Sequence, residues 1–325
     1  MHALVQHQFG DPTSVLGIED VDTPEPGPGQ ARVRLLLSPI HNHDLWTVSG
    51  NYGFKPEMPA RAGTEAVGVV EALGDGVEHL EVGQRVASAS TFGVWAEQFV
   101  ADAAALIPVP DGLTDEVAAQ LVSMPFSAIS LLDSLHLEEG DWLIQNAANG
   151  AVGRMVAQLA PSRGINVVGL VRRAEGVEEL AAQGIERVVA TDSDEWKDQV
   201  AQITGGAAIS VGVESVGGAA AGDVLSLLGE NGTLVVFGAM ASPTLELSSG
   251  DVIFKQATVR GFWGSKVSAA MPAEDRGRLM QELFARLSDG TLTLPVEATY
   301  SLSEIADAAR ANFAPGRVGK ILLKP

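Results

Sequence analysis

The chain of 325 residues contains no cysteine. Disulfide bonds are therefore excluded, and so is every metal site that requires a thiolate ligand. Hydrophobic residues make up 46% of the chain, which suits a well-packed globular protein. Because this length exceeds what one ordinary hydrophobic core accommodates, we expect two domains.

Basic residues are scarce. Lys and Arg number 21 against 41 Asp and Glu, which gives a formal net charge of -20. Nucleic acids and anionic membranes are bound by clustered Lys and Arg, so neither is an expected partner. We expect a small-molecule ligand instead. If that ligand is anionic, a local basic pocket must bind it against the overall field of the protein.

Long apolar runs are also missing. No stretch approaches the roughly 18 consecutive apolar residues of a membrane helix. The first residues, "MHALVQHQFGDP", lack the basic cluster and the apolar core of a secretory signal. We therefore expect a cytoplasmic protein.

Two different sequence patterns divide the chain. Up to about residue 115, short β-branched runs are separated by Gly and Pro, which predicts an all-β unit. The segment 113–137 then has the apolar period of a helix that begins at Thr114 or Asp115. From Asp141, strands alternate with helices, which indicates βαβ units and a parallel sheet. We expect domains at 1–117 and 118–265, and a return to the first domain at 266–325.

A glycine-rich turn follows the first strand of the alternating region. In "LIQNAANGAVG" (143–153), Ala148, Gly150 and Gly153 occupy the three glycine positions of the dinucleotide-binding fingerprint. A phosphate at this turn would meet free backbone amides and the positive end of a helix dipole. The alternative is an ordinary tight turn between a strand and a helix.

The end of the second strand indicates which dinucleotide binds. An NAD site carries an acidic residue here, whereas this strand ends in Arg172 and Arg173, with Glu175 slightly later. Guanidinium groups can hold a 2′-phosphate through bidentate hydrogen bonds. NADP(H) is therefore favoured over NAD(H), and a solvated basic strand end is the alternative.

The whole chain resembles the medium-chain dehydrogenase/reductase superfamily, and within it the zinc-free, mitochondrial-type 2-enoyl thioester reductases. The residues that carry the resemblance are "GNYGFKPEMPARAGTEAVG" (50–68), "LIQNAANGAVG" (143–153), "ESVGG" (214–218), "FGAMA" (237–241) and "IFKQATVRGFWGSK" (253–266). Zinc-independent alcohol dehydrogenases and quinone reductases share much of this pattern. The resemblance implies an α/β fold in which a Rossmann-type doubly wound parallel-sheet domain binds the cofactor beside a mainly β, GroES-like catalytic domain.

The resemblance also bears on metal binding. The positions that hold catalytic zinc in related alcohol dehydrogenases are His41, Thr64 and Met124 here. Thr and Met are poor zinc ligands, so we expect no metal. His41, His43 and Asp44 are close in sequence, but on an extended segment the two histidines would point to one side and Asp44 to the other.

Without zinc, another group must stabilise the negative charge that develops on a carbonyl oxygen during hydride transfer. The resemblance implies that Tyr52, in "GNYGF", is this donor, although a surface tyrosine is the alternative. His41 and His43 stand where relatives have Asn and a small hydroxyl residue. An imidazole could deliver a proton there, or either histidine could be purely structural.

The resemblance further implies a set of cofactor contacts and a partner. The nicotinamide would lie against Gly238, Ala239 and Met240, while Phe262 and Trp263 would form an aromatic lip or serve interdomain packing. Lys320 would lie near the cofactor, and the strand "GTLVVFG" would border a homodimer interface. The turn residues implied to bind the cofactor are Asn146, Asn149, Gly150, Ala151, Val152 and Gly153.

The sequence therefore predicts an NADPH-dependent reductase of activated C=C bonds in 2-enoyl thioesters or enones. A zinc-independent alcohol dehydrogenase or aldehyde reductase, or a quinone oxidoreductase, is the alternative within the same enzyme class. A non-catalytic NADPH-binding scaffold is a more remote alternative.

Overall fold

The computed structural model describes residues 1–89, 91–314 and 316–325. The strands are β1 His2–Gln6, β2 Gly17–Asp20, β3 Gln30–Pro39, β4 Ala60–Arg61, β5 Glu65–Leu73, β6 Arg85–Ala89, β7 Gln98–Asp102, β8 Leu106–Pro108, β9 Trp142–Gln145, β10 Asn166–Val171, β11 Val188–Ala190, β12 Ile209–Glu214, β13 Leu228–Val236, β14 Thr258–Gly261, β15 Val296–Ser301 and β16 Lys320–Lys324. The helices are α1 Pro12–Val15, α2 Asn42–Val48, α3 Asp115–Ala118, α4 Met124–Ser134, α5 Ala151–Leu159, α6 Ala174–Ala181, α7 Trp196–Thr204, α8 Ala219–Leu227, α9 Ser249–Phe254, α10 Gly264–Ala270, α11 Ala273–Ser288 and α12 Ile305–Asn312.

The chain forms two compact units. One contains Met1–Ser123 together with Leu294–Pro325, and the other is Met124–Thr293. The chain therefore returns to the first unit later than residue 266. Helix α11 stays with the second unit, where it packs against α4 and buries one apolar face.

The first unit is mainly β, as predicted. Its larger sheet has the order β15-β16-β3-β5-β6-β8, with β7 also paired to β3, and β1, β2 and β4 form a smaller sheet. Along β3, the side chains of Ala31, Val33 and Leu35 alternate inward with a period of two, as expected for a strand with one buried face. Strand β16 pairs with β3, so the last residues of the chain complete this unit.

The predicted single helix at 113–137 is wrong, because this region forms α3 and α4 with a break between them. The Thr114 hydroxyl caps α3 by accepting a hydrogen bond from the Val117 amide. In the break, the amides of Val122 and Ser123 donate to a side-chain carboxylate instead of to helix carbonyls. Pro125 then lies in the first turn of α4, where a missing N–H has no cost.

The second unit contains a six-stranded parallel sheet in the order β11-β10-β9-β12-β13-β14. The buried faces of β9, β10 and β12 are rich in Leu, Ile and Val, as expected for strands covered on both sides. The chain order reverses between β9 and β12. In doubly wound folds, ligands bind at the carboxyl ends of the strands at this switch point.

The described part of the chain contains no helix that is long and apolar enough to cross a membrane.

The turn between β9 and α5 depends on a close approach at Gly153. A Cβ added there would lie 2.7 Å from the Ala147 carbonyl oxygen and 2.8 Å from the Ala148 Cα. These are backbone atoms that cannot rotate away, so a side chain at this position must push the helix from the turn.

Gly153→Ala should therefore lower the free energy of unfolding by about 1–3 kcal/mol, measured by chemical denaturation. Gly277→Ala is the matched control, because Gly277 lies in α11 and an added Cβ there has no neighbour within 4 Å. That change should stabilise the protein by up to about 1 kcal/mol through helix propensity. Equal effects of the two substitutions would contradict the close approach.

Candidate active site

The segment 38–54, "SPIHNHDLWTVSGNYGF", leaves β3 and becomes helical at Asn42. His41 is the N-cap of α2, and the Asp44 carboxylate accepts a hydrogen bond from the His41 backbone N–H at 2.9 Å. The predicted extended segment is therefore wrong. An acidic side chain at the third helical position satisfies this amide, which favours a helix start here over continued strand.

Both ring nitrogens of His41 are engaged in the protein interior. Nε2 lies 2.7 Å from Glu65 Oε2, and Nδ1 lies 2.9 Å from the Lys320 ammonium. The side chain is 1% exposed, and burial, reinforced by the Lys320 charge, holds its pKa well below the usual range. With no free nitrogen, His41 is poorly placed for the proton delivery predicted for it, and this arrangement favours the structural alternative.

Lys320 belongs to this buried chain. Its ammonium donates to His41 Nδ1 and to the Ile40 carbonyl oxygen, and burial lowers its pKa to about 8. Two of its three N–H groups have partners in the first unit, and contact between Lys320 and the cofactor stays a prediction. Its position close to the two histidines in space was not visible from sequence spacing.

Glu65 is the third member of the chain, and sequence reasoning missed it. Its Oε1 accepts hydrogen bonds from the Val122 and Ser123 amides, each at 2.7 Å, while Oε2 faces His41. The side chain is completely buried, and burial raises its pKa, a shift that the two amide hydrogen bonds and the Lys320 charge oppose. A carboxylate immediately after Thr64 at the start of a buried strand was the available signal.

The donor set at these positions does not suit zinc. An ammonium lies within 3 Å of the His41 ring and would repel a metal ion, and both imidazole nitrogens already have partners. Thr64 offers a neutral hydroxyl instead of a strong ligand. Among residues 1–89, 91–314 and 316–325, no group of three or more His, Cys, Asp or Glu is arranged to hold a metal ion.

The His43 ring contacts the rings of both His41 and Tyr52. The His41 and His43 rings stack at 4.9 Å between centroids, and the Tyr52 ring is tilted against His43 at 5.8 Å. His43 Nε2 lies 2.9 Å from the Thr64 hydroxyl, which donates to Asp44 at 2.6 Å. Burial lowers the pKa of His43, although Asp44 opposes this shift. The structure thus brings two predicted site residues, Tyr52 and His43, together.

The glycine-rich turn has the features of a phosphate cradle. Gly150 is the N-cap of α5 and carries no side chain that would cover the free amides of the first turn. The left-handed position is Ala147, with φ of 48°. Ala148, assigned to the first glycine position of the fingerprint, instead packs against β10. A Cβ added at Gly169 would lie 2.8 Å from the Ala148 Cβ.

A buried carboxylate organises the switch point of the parallel sheet. Glu214, at the end of β12, accepts hydrogen bonds through Oε1 from the Asn146 side chain and from the Val216 and Gly217 amides. Asn146 in turn accepts from the Ser215 amide. Asn146, predicted to bind the cofactor, is therefore a buried brace between β9 and β12, and Asn149 is exposed beside it.

The remaining predicted cofactor residues divide by exposure. Gly238 and Met240 are held by backbone hydrogen bonds to Glu214 and Ser215, and Ala239 is exposed between them. Phe262 is buried and stacks on Phe237, so its role is packing within the second unit. Trp263 is 45% exposed, and the turn residues Ala151 and Val152 are half-buried.

Arg172 and Arg173 directly follow β10, as predicted. Both side chains are exposed, and in the described part of the chain neither takes part in an ion pair. Glu175 lies in the first turn of α6 and is also exposed. Two unpaired guanidinium groups beside a glycine cradle fit a dinucleotide with a 2′-phosphate. The residues present therefore suit NADP(H).

Comparison with known proteins agrees with this architecture. Residues 151–281 match the zinc-binding dehydrogenase family, and residues 27–111 match the alcohol dehydrogenase GroES-like domain. The mitochondrial enoyl-acyl-carrier-protein reductase of Homo sapiens is 30% identical over 321 residues, which cover 97% of this chain and 86% of the relative. The chain belongs to the medium-chain dehydrogenase/reductase superfamily.

Solved structures of this superfamily superpose on the entire chain. A mycobacterial protein solved in complex with NADPH is 29% identical, with a TM-score of 0.88 and full coverage of both chains. A quinone oxidoreductase of Pseudomonas syringae pv. Tomato is 27% identical, also with a TM-score of 0.88 and full coverage of both chains. The predicted fold class, a parallel-sheet domain with a GroES-like domain, is confirmed.

The buried chain of Glu65, His41 and Lys320 should be energetically coupled. Lys320→Met removes the cation and leaves the carboxylate and imidazole buried without it, so the free energy of unfolding should fall by about 3–5 kcal/mol. The double variant with Lys320→Met and Glu65→Gln should lose less free energy of unfolding than the sum of the two single losses, as measured by a double-mutant cycle.

Lys324→Met is the matched control, because Lys324 is exposed at the end of the same strand. It should change the free energy of unfolding by no more than about 0.5 kcal/mol. Strict additivity of Lys320→Met and Glu65→Gln would contradict the coupling.

Proposed function

We propose that this protein is an NADPH-dependent reductase that adds hydride to the β-carbon of activated C=C bonds, without zinc, in 2-enoyl thioesters or enones. The observation that carries this proposal is the placement of Tyr52. Its half-buried ring packs on His43, while its hydroxyl makes no hydrogen bond to the described residues of its own unit. A hydroxyl free of internal partners is available to a ligand.

The chemistry explains why such a donor is needed. Hydride arriving at the β-carbon leaves negative charge on the carbonyl oxygen of the substrate. A preorganised O–H group directed at that oxygen stabilises the developing charge without a metal ion. Tyr52 supplies this group in the proposed reaction, and its neighbour His43 holds the ring in place.

The second unit supplies the cofactor site in this proposal. NADPH, when bound, provides the hydride. Gly150 and Gly153 shape the turn at which backbone amides meet the pyrophosphate, and Arg172 and Arg173 pair with the 2′-phosphate. The backbone at 238–240 is proposed to border the nicotinamide, with Trp263 as the exposed aromatic neighbour.

Quinone reduction is the second candidate. It is favoured by the full-length match, at 27% identity, to a protein named as a quinone oxidoreductase. Both reactions use NADPH and a carbonyl-bearing acceptor, so a panel of acceptors separates them. Aldehyde reduction, the alcohol dehydrogenase alternative, is separated by the same panel, and a scaffold without catalysis would turn over none of the acceptors.

Tyr52→Phe should lower kcat/KM for crotonyl-CoA and cyclohexenone about 100- to 1,000-fold, because one hydrogen bond to the oxyanion is lost. NADPH oxidation is followed with these acceptors, with benzoquinone and with benzaldehyde, each with NADPH and with NADH. Tyr300→Phe is the matched control, since the chain has two tyrosines and Tyr300 packs against the core on β15.

Tyr300→Phe should leave kcat/KM within about twofold. Full retention of enone and enoyl thioester reduction in Tyr52→Phe would refute the donor assignment. Turnover of benzoquinone alone by the unmodified protein would replace the proposed function with the second candidate.

Arg172→Ala and Arg173→Ala should each raise the Kd for NADPH about 10- to 100-fold through loss of charge-assisted hydrogen bonds, with NADH affinity little changed. Kd is measured by cofactor fluorescence. Arg187→Ala is the charge-matched control, because Arg187 pairs with Asn166 at the other end of β10. Equal weakening of NADPH and NADH would contradict a 2′-phosphate site.

Two further predictions remain as proposals. A homodimer stays a proposal. The strand "GTLVVFG", predicted to border its interface, is part of β13 and is paired on both sides, so the described sheet offers β14 as its edge, with Val259 exposed on it. We also propose a cytoplasmic location, although the names of relatives place those proteins in mitochondria.

A further inference from the structure

His43 has one hydrogen-bonded nitrogen and one without a protein partner. Nε2 lies 2.9 Å from the Thr64 hydroxyl, whereas Nδ1 makes no hydrogen bond to any described residue of the first unit. A neutral imidazole carries its proton on one nitrogen and a lone pair on the other. Which nitrogen is protonated therefore decides whether His43 accepts from a ligand at Nδ1 or donates to it.

The neighbours of Thr64 decide this question. Its single hydroxyl proton can serve one acceptor, and the hydroxyl oxygen lies 2.6 Å from Asp44 Oδ1 and 2.9 Å from His43 Nε2. Asp44 is 2% exposed, and a carboxylate only accepts hydrogen bonds. The Thr64 proton therefore points to Asp44, and the Thr64 oxygen must accept from an Nε2–H of His43.

Asp44 is itself held in a fixed orientation. Its second oxygen, Oδ2, accepts the His41 backbone N–H at 2.9 Å, so rotation of the carboxylate away from Thr64 would break a hydrogen bond that caps α2. The His41 ring takes no part in this chain, because Glu65 and Lys320 occupy both of its nitrogens. The hydrogen bonds thus run in one direction, from His43 through Thr64 to Asp44.

We propose that Thr64 and Asp44 are positioning residues that hold His43 as its Nε2–H tautomer and so present an unprotonated Nδ1 as a hydrogen-bond acceptor. The consequence of this tautomer for turnover rests on the proposed function. Neutral His43 then accepts a hydrogen bond from a ligand, and donation to the substrate oxygen belongs to Tyr52. The predicted role of His43 as a proton donor is revised accordingly.

A single isosteric change should reverse the chain. In Asp44→Asn, the amide oxygen must face the His41 N–H, because the opposite orientation sets two donors against each other. The amide N–H group then points at the Thr64 oxygen. The Thr64 proton turns to His43 Nε2, which must lose its own proton, and the tautomer switches to Nδ1–H.

The test is nitrogen NMR of protein labelled with 15N-histidine, recorded without substrate at neutral pH. The His43 signals are identified by their loss in His43→Gln. We expect mainly Nε2–H in the unmodified protein, mainly Nδ1–H in Asp44→Asn, and a mixture in Thr64→Val. Thr64→Ser, which restores a hydroxyl, should restore Nε2–H.

His79 is an internal reference, since its Nε2 lies 3.0 Å from the Ala103 carbonyl oxygen and stays protonated in every folded variant. An Nδ1–H tautomer in the unmodified protein would overturn the proposal, as would an unchanged tautomer in folded Asp44→Asn. If Asp44→Asn does not fold, the Thr64→Val and Thr64→Ser pair decides. Because the spectra need no turnover, they are independent of whether the proposed reaction is correct.

Discussion

The first unit depends on a buried ammonium group whose neighbours are themselves buried, ionisable side chains. Lys320, His41 and Glu65 come from the last strand, from the start of α2 and from the start of β5, and they meet with almost no exposure to solvent. Each would be costly to bury alone. Together, an ammonium and a carboxylate are bridged by one neutral imidazole, and the carboxylate also anchors the amides at residues 122 and 123.

A buried carboxylate also organises the second unit. The Glu214 carboxylate gathers Asn146 and two backbone amides at the point where the strand order of the sheet reverses. Segments that would carry cofactor contacts are thus fixed by one acidic side chain that is itself inaccessible. In both units, a buried carboxylate holds two backbone amides and a neighbouring side chain in place.

Sequence reasoning succeeded where local patterns are sufficient. The alternation of apolar strands with helices, the glycines at 150 and 153 and the two arginines after β10 all lie close together in the chain, and the structure places them as expected. It failed where contacts join distant segments. His41 and Lys320 are 279 residues apart, and Glu65 was overlooked although it contacts His41.

The helix start at Asn42 was missed for a related reason. The apolar and polar order of "SPIHNHD" continues a strand pattern, and the cap that ends the strand comes from Asp44, whose carboxylate folds back onto His41. The break at 119–123 likewise depends on the remote Glu65. In both cases a side-chain carboxylate accepts hydrogen bonds from backbone amides. Periodicity alone predicts that these amides belong to a continuous strand or helix.

The order in which the chain is synthesised acquires significance from the position of β16. A ribosome releases residues 1–123 long before Lys320, so the nascent first unit lacks both its closing strand and the cation that Glu65 and His41 share. The contiguous segment 124–293 has no such requirement and can mature while translation continues. The first unit therefore cannot assemble its buried chain of Glu65, His41 and Lys320 until β16 has been synthesised.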